Sequence, residues 1–498
     1  MAEPLTVVQQ RQQEGWFVGH APSHFWGLFE TYCDRLSNYV VPPRILLAEQ
    51  EPSCFLAAFL AACCHTSTVA LANPDWGTTE WQQAIAQLQP DLLWRDANET
   101  CLDPSSQSDH PLDNGLILIP TGGTSGQLRF ATHTWETLMA SVKGFQAFFE
   151  VAAVNSCCVL PLYHVSGLMQ FLRSFASGGR LVVLPFRQLE GGRLQVNGLH
   201  STCAIAPTDF FISLVPTQLE RLLAAQQAAW LAQFRTVLLG GAPAWSSLLE
   251  TAQQHQIPLA PTYGMTETAS QVATLKPADF LQGKTGYQIL PHAQVQLVAD
   301  TVVIHASSLM QGYYQGETIS QWVTDDIGYF DRAGYLHILG RSSDKIITGG
   351  ENVFPAEVEA VIWATDMVQD VAVIGLDDEH WGQVVTAVYV PMRSPVTYQE
   401  MKPLLQPQLS SFKVPKQWIA VAALPRNAQG KLNRTNVRSL ALTSLIPGTF
   451  DTIAASPPTA VAASVGLGEC TRAESTPDSQ AYLADRRTER ISPETLSH

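Results

Sequence analysis

Positive charge is scarce in this chain. Lys and Arg number 29 against 44 Asp and Glu, for a formal net charge of −15. That balance excludes a broad basic face, and with it nucleic acid or an anionic membrane as the main partner. A small anion such as ATP needs only a few placed cations. Long apolar runs are also missing. The most hydrophobic early stretch, residues 54–64, is far shorter than the roughly 20 residues that cross a bilayer, so no stable membrane insertion is expected. The first residues, MAEPLTVVQQRQQEGW, lack the basic-then-apolar order of a secretion signal. The nine cysteines are odd in number and contain no CxxC pair. Free thiols in a reducing compartment are expected rather than a disulfide frame or a zinc site. These absences together point to the cytoplasm. No internal repeat is visible, and the full Walker pattern GxxxxGK[ST] does not occur.

What is present is ample core material. Hydrophobic residues make up 46% of 498, enough for about three domains or one large and one small. Leu116–Ile119 (LILI) reads as a buried strand followed by a Gly/Thr/Ser loop. Further strands are predicted at 158–161, 181–184 and Thr236–Leu239, with helices at 168–176 and from Pro243. The alternation predicts layered α/β structure with largely buried sheets. From 286 to 339 short β-like runs take over. Beyond Arg341 the pattern is mixed, with a helix over Pro355–Trp363, strands at 371–374 and 384–390, and a helix over 398–409. The fold expected is therefore α/β. A large N-terminal domain of layered α/β subdomains plus a small β-rich module spans 1–342, and a small mobile α+β C-terminal domain spans 343–442. Residues 443–498, rich in Ala, Ser, Thr and Pro without an apolar period, are expected to be a disordered tail.

Four segments carry chemistry. PTGGTSGQLRF (120–130) follows the LILI strand and packs three glycines and three hydroxyls into 121–126; its backbone can approach phosphate closely, and N–H and O–H groups can cradle oxyanions. PTYGMTETAS (261–270) offers an aromatic ring, Tyr263, able to stack on a base, and a carboxylate, Glu267, suited to hydrated magnesium. In 324–359, TDDIG supplies a carboxylate for ribose hydroxyls, Arg341 follows a strand, and Gly349–Gly350 gives another close backbone approach. PRNAQGKLNR (425–434) sets Lys431 after a Gly turn.

The order and spacing of these segments resemble the adenylate-forming superfamily of acyl-CoA ligases, luciferases and peptide-synthetase adenylation domains, from about residue 42 to 440. The resemblance implies ATP, magnesium and CoA as cofactors or co-substrates. Thr121, Gly122, Gly123, Thr124, Ser125 and Gly126 would hold the β- and γ-phosphates, with Thr124 counted among the catalytic positions. Where the superfamily usually has Pro-Lys, this chain has Leu128-Arg129, a planar fork in place of a point charge. Gly240, Gly241, Ala242 and Pro243 would line adenine, and Tyr263 would stack on it beside Gly264. Thr266 would meet the α-phosphate and Glu267 the metal. Asp326, with Asp325 as a neighbour, and Arg341 would meet ribose. Lys431 would bridge the attacking carboxylate and the α-phosphate. Gly349 and Gly350 would pass the pantetheine arm. The usual Asp or Lys of the hinge is Ser343 here.

PLYHVSGLMQF (161–171) and SLVPTQLERLL (213–223) narrow the resemblance to the o-succinylbenzoate–CoA ligases of menaquinone and phylloquinone biosynthesis. Their substrate is an aromatic dicarboxylic acid, so one carboxylate is activated and one must be retained in the pocket. Ser213, Thr217 and Arg221 are candidates for the retained group, with Arg129 and Arg173 as rivals, and His164 for the reactive carboxylate and thiol path. Another aryl- or acyl-CoA ligase, or an inactive nucleotide-binding relative, stays open on these residues, as does a homo-oligomer.

Overall fold

The computed structural model describes residues 3–12, 14–19, 21–96, 98–101, 114–122, 127–190, 206–392, 398–426 and 432–444. The tail expected beyond 442, Lys431, and Gly123–Gly126 of the glycine-rich loop lie outside the described residues, save that the last helix runs to Ser444.

Two seven-stranded sheets form the body of the molecule. One runs, in spatial order, 312–313, 128–133, 117–122, 68–71, 44–47, 92–95, 98–101; the other 288–289, 270–274, 259–265, 236–239, 210–214, 155–158, 181–183. Their centres are parallel; antiparallel pairs lie at both edges of the first sheet and at the 288–289 edge of the second, whose 181–183 edge stays parallel. The central strands are apolar on both faces, as strands covered by helices on each side must be. Between the sheets lies the helix Pro52–Cys64, whose residues 53–63 are all buried. Its sequence PSCFLAAFLAACC has almost no polar stripe because no side of it meets water. It packs with Val165–Ser177 in a cluster that includes Trp16, Phe25, Phe59, Phe171 and Phe175.

Strands Ala293–Val298, Thr301–Ala306, Trp322–Phe330 and Leu336–Arg341 make the expected β-rich module, a four-stranded antiparallel sheet. A last five-stranded sheet (346–348, 351–353, 368–378, 382–391 and 417–420) carries the helices Pro355–Trp363, Tyr398–Leu405 and Arg434–Ser444. Its apolar clusters draw only on residues 346–441, whereas the clusters of the larger part end at Ile338.

The α/β class expected from the sequence is the one observed, with several element boundaries shifted. The strand expected at 158–161 is Asn155–Cys158, because Pro161 has no N–H for a ladder. The helix expected from Pro243 starts at Ser246, since 240–243 are taken up by a turn. The helix expected over 398–409 ends at Leu405. No described helix is long and apolar enough to cross a membrane. Cys33, Cys54, Cys63, Cys64, Cys157 and Cys158 are free thiols, and burial pushes those of Cys157 and Cys158 up to about 12.

Candidate functional site

The parallel strands Phe210–Leu214, Thr236–Leu239 and Leu259–Met265 end side by side. Open α/β sheets bind ligands in the crevice beyond such carboxyl ends. Gly240–Pro243 leaves the middle strand there. A Cβ on Gly240 would fall 2.4 Å from Thr262 Oγ1, so the turn and the neighbouring strand close up only around glycine. Ser213 lies near the end of the first strand, and Thr217 on the helix Pro216–Ala224 that follows.

The 264–270 turn is the most constrained part of the site. A Cβ on Gly264 would meet Ser270 O at 2.1 Å. Ala269 and Ser270 adopt left-handed conformations, with φ of 49° and 85°, a conformation that side chains tolerate only when the surroundings enforce it. Here they do. Thr266 O faces His133 Nε2 at 2.8 Å, Glu267 O accepts from Met310 N–H at 2.8 Å, Thr268 O from Ser308 Oγ at 2.9 Å, Ala269 O from Ser141 Oγ at 2.7 Å and Ser270 O from Thr268 Oγ1 at 2.7 Å. Burial drives His133 down to about 4, so its ring is neutral and Nε2–H is the donor that this carbonyl requires.

Tyr263, just before the turn, donates its hydroxyl to Asp326 Oδ2 at 2.6 Å. Burial and that carboxylate raise the phenol's pKa, so it stays protonated. Asp326 and Arg341 face each other on paired strands, Nε to Oδ1 3.6 Å. An aromatic ring, a carboxylate and a guanidinium thus converge at one spot.

The strands that flank the glycine-rich segment pair with each other. Strand Ile117–Gly122 pairs antiparallel with Leu128–His133, Thr121 opposite Arg129 and Gly122 opposite Leu128. The Arg129 guanidinium lies over the Tyr313 ring at 4.2 Å, and the Tyr313 hydroxyl donates to Glu267 Oε1 at 2.6 Å. The hairpin, Tyr313 and the magnesium-type carboxylate are therefore in contact. Among the described residues no cluster of three or more His, Cys, Asp or Glu could hold a metal alone. One buried carboxylate fits a magnesium ion that arrives on phosphate oxygens, since that ion commonly takes only one or two protein carboxylates.

The acid-side candidates separate. His164 caps the helix Val165–Ser177, and burial lowers it to about 4. On the same helix Arg173 is 3% exposed. It donates to Ser270 Oγ at 3.2 Å and covers the Phe145 ring at 4.3 Å, while its Nε lacks a partner. Among the described residues no carboxylate pairs with it, and desolvation brings it down to about 9. Both ring nitrogens of half-buried His292, which feels the Arg173 charge, are also buried without partners. Arg221 differs: its side chain is 58% exposed and pairs with Glu190 at 2.5 Å.

On the small sheet Gly349 and Gly350 form the turn between 346–348 and 351–353, against the Trp381 ring. Ser343 donates both its N–H and its hydroxyl to the Asp325 carboxylate. Arg426 is bridged to Leu432, framing the segment that holds Lys431. Sequence reasoning missed His133, Tyr313, Ser141 and Ser308. His133 follows the glycine-rich hairpin in the string FATH, the one local signal available; the others are ordinary residues whose partners are far away in sequence.

Tyr263, Asp326 and Arg341 thus meet beside the braced 264–270 turn, and the strands 117–122 and 128–133 reach that turn through Arg129, Tyr313 and Glu267. The chain belongs to the family of AMP-binding enzymes: it matches that family over residues 43–314, and the AMP-binding enzyme C-terminal domain over 357–431. It is 35% identical over 351 residues to a 2-succinylbenzoate–CoA ligase of Listeria innocua, covering 68% of this chain and 73% of that one. To the 2-succinylbenzoate–CoA ligase of a Geobacillus strain it is 34% identical over 358 residues, covering 67% and 70%. In fold it resembles the o-succinylbenzoate CoA synthetase of Bacillus subtilis solved with the acyl-adenylate OSB-AMP, at TM-score 0.73 and 24% identity over 87% of this chain and 97% of that one. The ATP-bound MatB of Rhodopseudomonas palustris matches at TM-score 0.73 and 20% identity over 88% and 99%.

Proposed function

We propose that this chain joins 2-succinylbenzoate to coenzyme A at the expense of ATP, releasing AMP and pyrophosphate through an acyl-adenylate, in a quinone pathway of the menaquinone or phylloquinone type. The observation that carries the reading is the convergence of Tyr263, Asp326 and Arg341 beside the braced turn of Glu267, in a chain whose curated relatives are 2-succinylbenzoate–CoA ligases. The buried free thiols support a reducing, cytoplasmic setting.

In the first step the aliphatic carboxylate attacks the α-phosphorus and pyrophosphate leaves. Tyr263 and the 240–243 turn hold adenine, Asp326 accepts from the ribose hydroxyls, and Thr266 contacts the α-phosphate. The segment 121–126 holds the outer phosphates, with Arg129 stacked on Tyr313 next to Glu267. Magnesium, when bound with ATP, offsets phosphate charge next to Glu267. Lys431 supplies the cation between the two reacting anions, an electrostatic contribution of about 3–4 kcal/mol in comparable sites. In the second step the domain 343–442 turns about Ser343, withdraws Lys431 and brings Gly349–Gly350 to the site; the CoA thiolate then displaces AMP. Such a motion lets one pocket serve both reactions and shields the mixed anhydride from water.

Arg173 is the best supported cation for the retained ring carboxylate. A buried guanidinium with no anion is costly unless a ligand supplies one, whereas Arg221 already has Glu190. Ser213 and Thr217 remain candidates beside it. Neutral His164 offers the activated carboxylate a polar contact without competing charge.

The test is AMP release with 2-succinylbenzoate, ATP, magnesium and CoA, set against simple benzoates and medium-chain acids. Turnover preferring 2-succinylbenzoate is expected. Preference for another acid moves the chain to a different aryl- or acyl-CoA ligase, and absence of ATP–pyrophosphate exchange with every acid makes it a nucleotide-binding relative only.

A further inference from the structure

Tyr313 belongs to none of the motifs above, yet it joins two of them. It lies on the two-residue strand Gly312–Tyr313, which pairs antiparallel with the outgoing arm of the phosphate hairpin, Tyr313 opposite Ala131. Its ring lies beneath Arg129 at 4.2 Å and its hydroxyl reaches Glu267 Oε1 at 2.6 Å. The same segment holds the backbone of Glu267, through Met310 N–H to Glu267 O at 2.8 Å. A phenol carries its proton at neutral pH, so the hydroxyl is the donor and the carboxylate the acceptor.

A glutamate side chain has three rotatable bonds, and a carboxylate that must meet a metal gains from being held in one orientation beforehand. The Tyr313 bond engages Oε1 and leaves Oε2 for that purpose. The guanidinium on the ring face draws on the π-electrons and strengthens the phenol as a donor. It also accounts for arginine at 129, since a planar fork lies flat on an aromatic ring and an ammonium does not.

We propose that Tyr313 is a positioning residue whose hydroxyl, with Arg129 stacked on its ring, fixes the Glu267 carboxylate in the orientation that receives magnesium arriving with ATP. This rests on the nucleotide-binding part of the proposed function, and not on the identity of the acid.

The experiment is calorimetric ATP binding at a series of Mg2+ concentrations, with no acid and no turnover, on wild type, Tyr313→Phe, Arg129→Lys and the double variant. Tyr313→Phe is expected to keep the melting temperature and the ATP affinity seen without Mg2+. It should need at least roughly tenfold more Mg2+ to reach half of its maximal affinity gain, the lower bound for a hydrogen bond to a charged group. Arg129→Lys should shift the same way by less, and the double variant should match Tyr313→Phe, because the arginine acts through the ring. A Tyr313→Phe protein with the wild-type Mg2+ response, whether or not its melting temperature falls, overturns the proposal. Additive single variants overturn the part assigned to Arg129, making it a direct phosphate ligand. A wild-type protein that binds no ATP removes the nucleotide-binding reading itself, and the role of Tyr313 with it.

Discussion

Arg173 and Arg221 show how much a single side chain's surroundings decide. Both are arginines on amphipathic helices near the site. Arg221 is solvated and paired with Glu190, as most surface arginines are, and such a pair contributes about 0–1 kcal/mol. Arg173 is buried over Phe145 with one nitrogen unpartnered. Arg173→Met, which keeps the apolar stem, is expected to raise KM for 2-succinylbenzoate at least about tenfold while leaving KM for ATP near wild type. It should also erase the preference over 4-oxo-4-phenylbutanoate, which lacks the ring carboxylate. Retained discrimination in Arg173→Met would move the anion site to Ser213, Thr217 or Arg129.

Among the elements, strand Leu128–His133 does the most for the site. It closes the phosphate hairpin, carries Arg129, pairs with the strand of Tyr313, and ends in His133, which holds the turn at Thr266. His133 is fully buried, and its folded pKa of about 4 lies below the ordinary 6.5. Between those values the unfolded chain binds more protons than the folded one. Stability from this source is therefore complete above pH 6.5 and is lost as the pH falls toward 4, by about 2 kcal/mol at pH 5. Urea midpoints measured from pH 7.5 to 5 should fall accordingly, and His133→Gln should flatten that slope; an unchanged slope in the variant would assign the acid sensitivity to His164 and His292. The element itself was not among the strands read from the sequence. LRFATH alternates poorly, because five of its six residues are buried, and burial on both faces removes the period-two signal.

On the scale of the whole molecule, the sheet of 346–420 has its own core and meets the larger part through few contacts. Trp245, at the N-terminus of the helix Ser246–Gln254, stacks on Trp363, at the end of Pro355–Trp363, with centroids 4.5 Å apart and planes 10° from parallel. Glu220 on the large side faces Asp370 and Arg426 on the small side. Lys431→Ala is expected to abolish adenylation while sparing thioester formation from supplied acyl-AMP. Trp363→Ala, which loosens the stack without touching substrate, should slow adenylation by roughly tenfold, the worth of one aromatic pair, and spare or speed the second half-reaction. Equal losses in both half-reactions for either folded variant would show that one orientation serves both steps.

The reaction class was legible in the amino-acid sequence. The segments proposed for phosphate, adenine and ribose are short, so TGGTSG, YGMTE and TDDIG can be read without a fold, and their order and spacing carry the resemblance. The sequence also determined the helix Pro355–Trp363 and the strand Thr236–Leu239 to the residue, since Pro at a helix start and Gly–Gly after a strand are local signals. The folded chain alone separates the buried Arg173 from Arg221, paired with Glu190, and sets Tyr313 against Glu267. Such placements depend on burial and on partners 97 positions away for Arg173, 46 for Tyr313 and 133 for His133. Desolvation and pairing across such separations exist only once the sheets have brought the residues together.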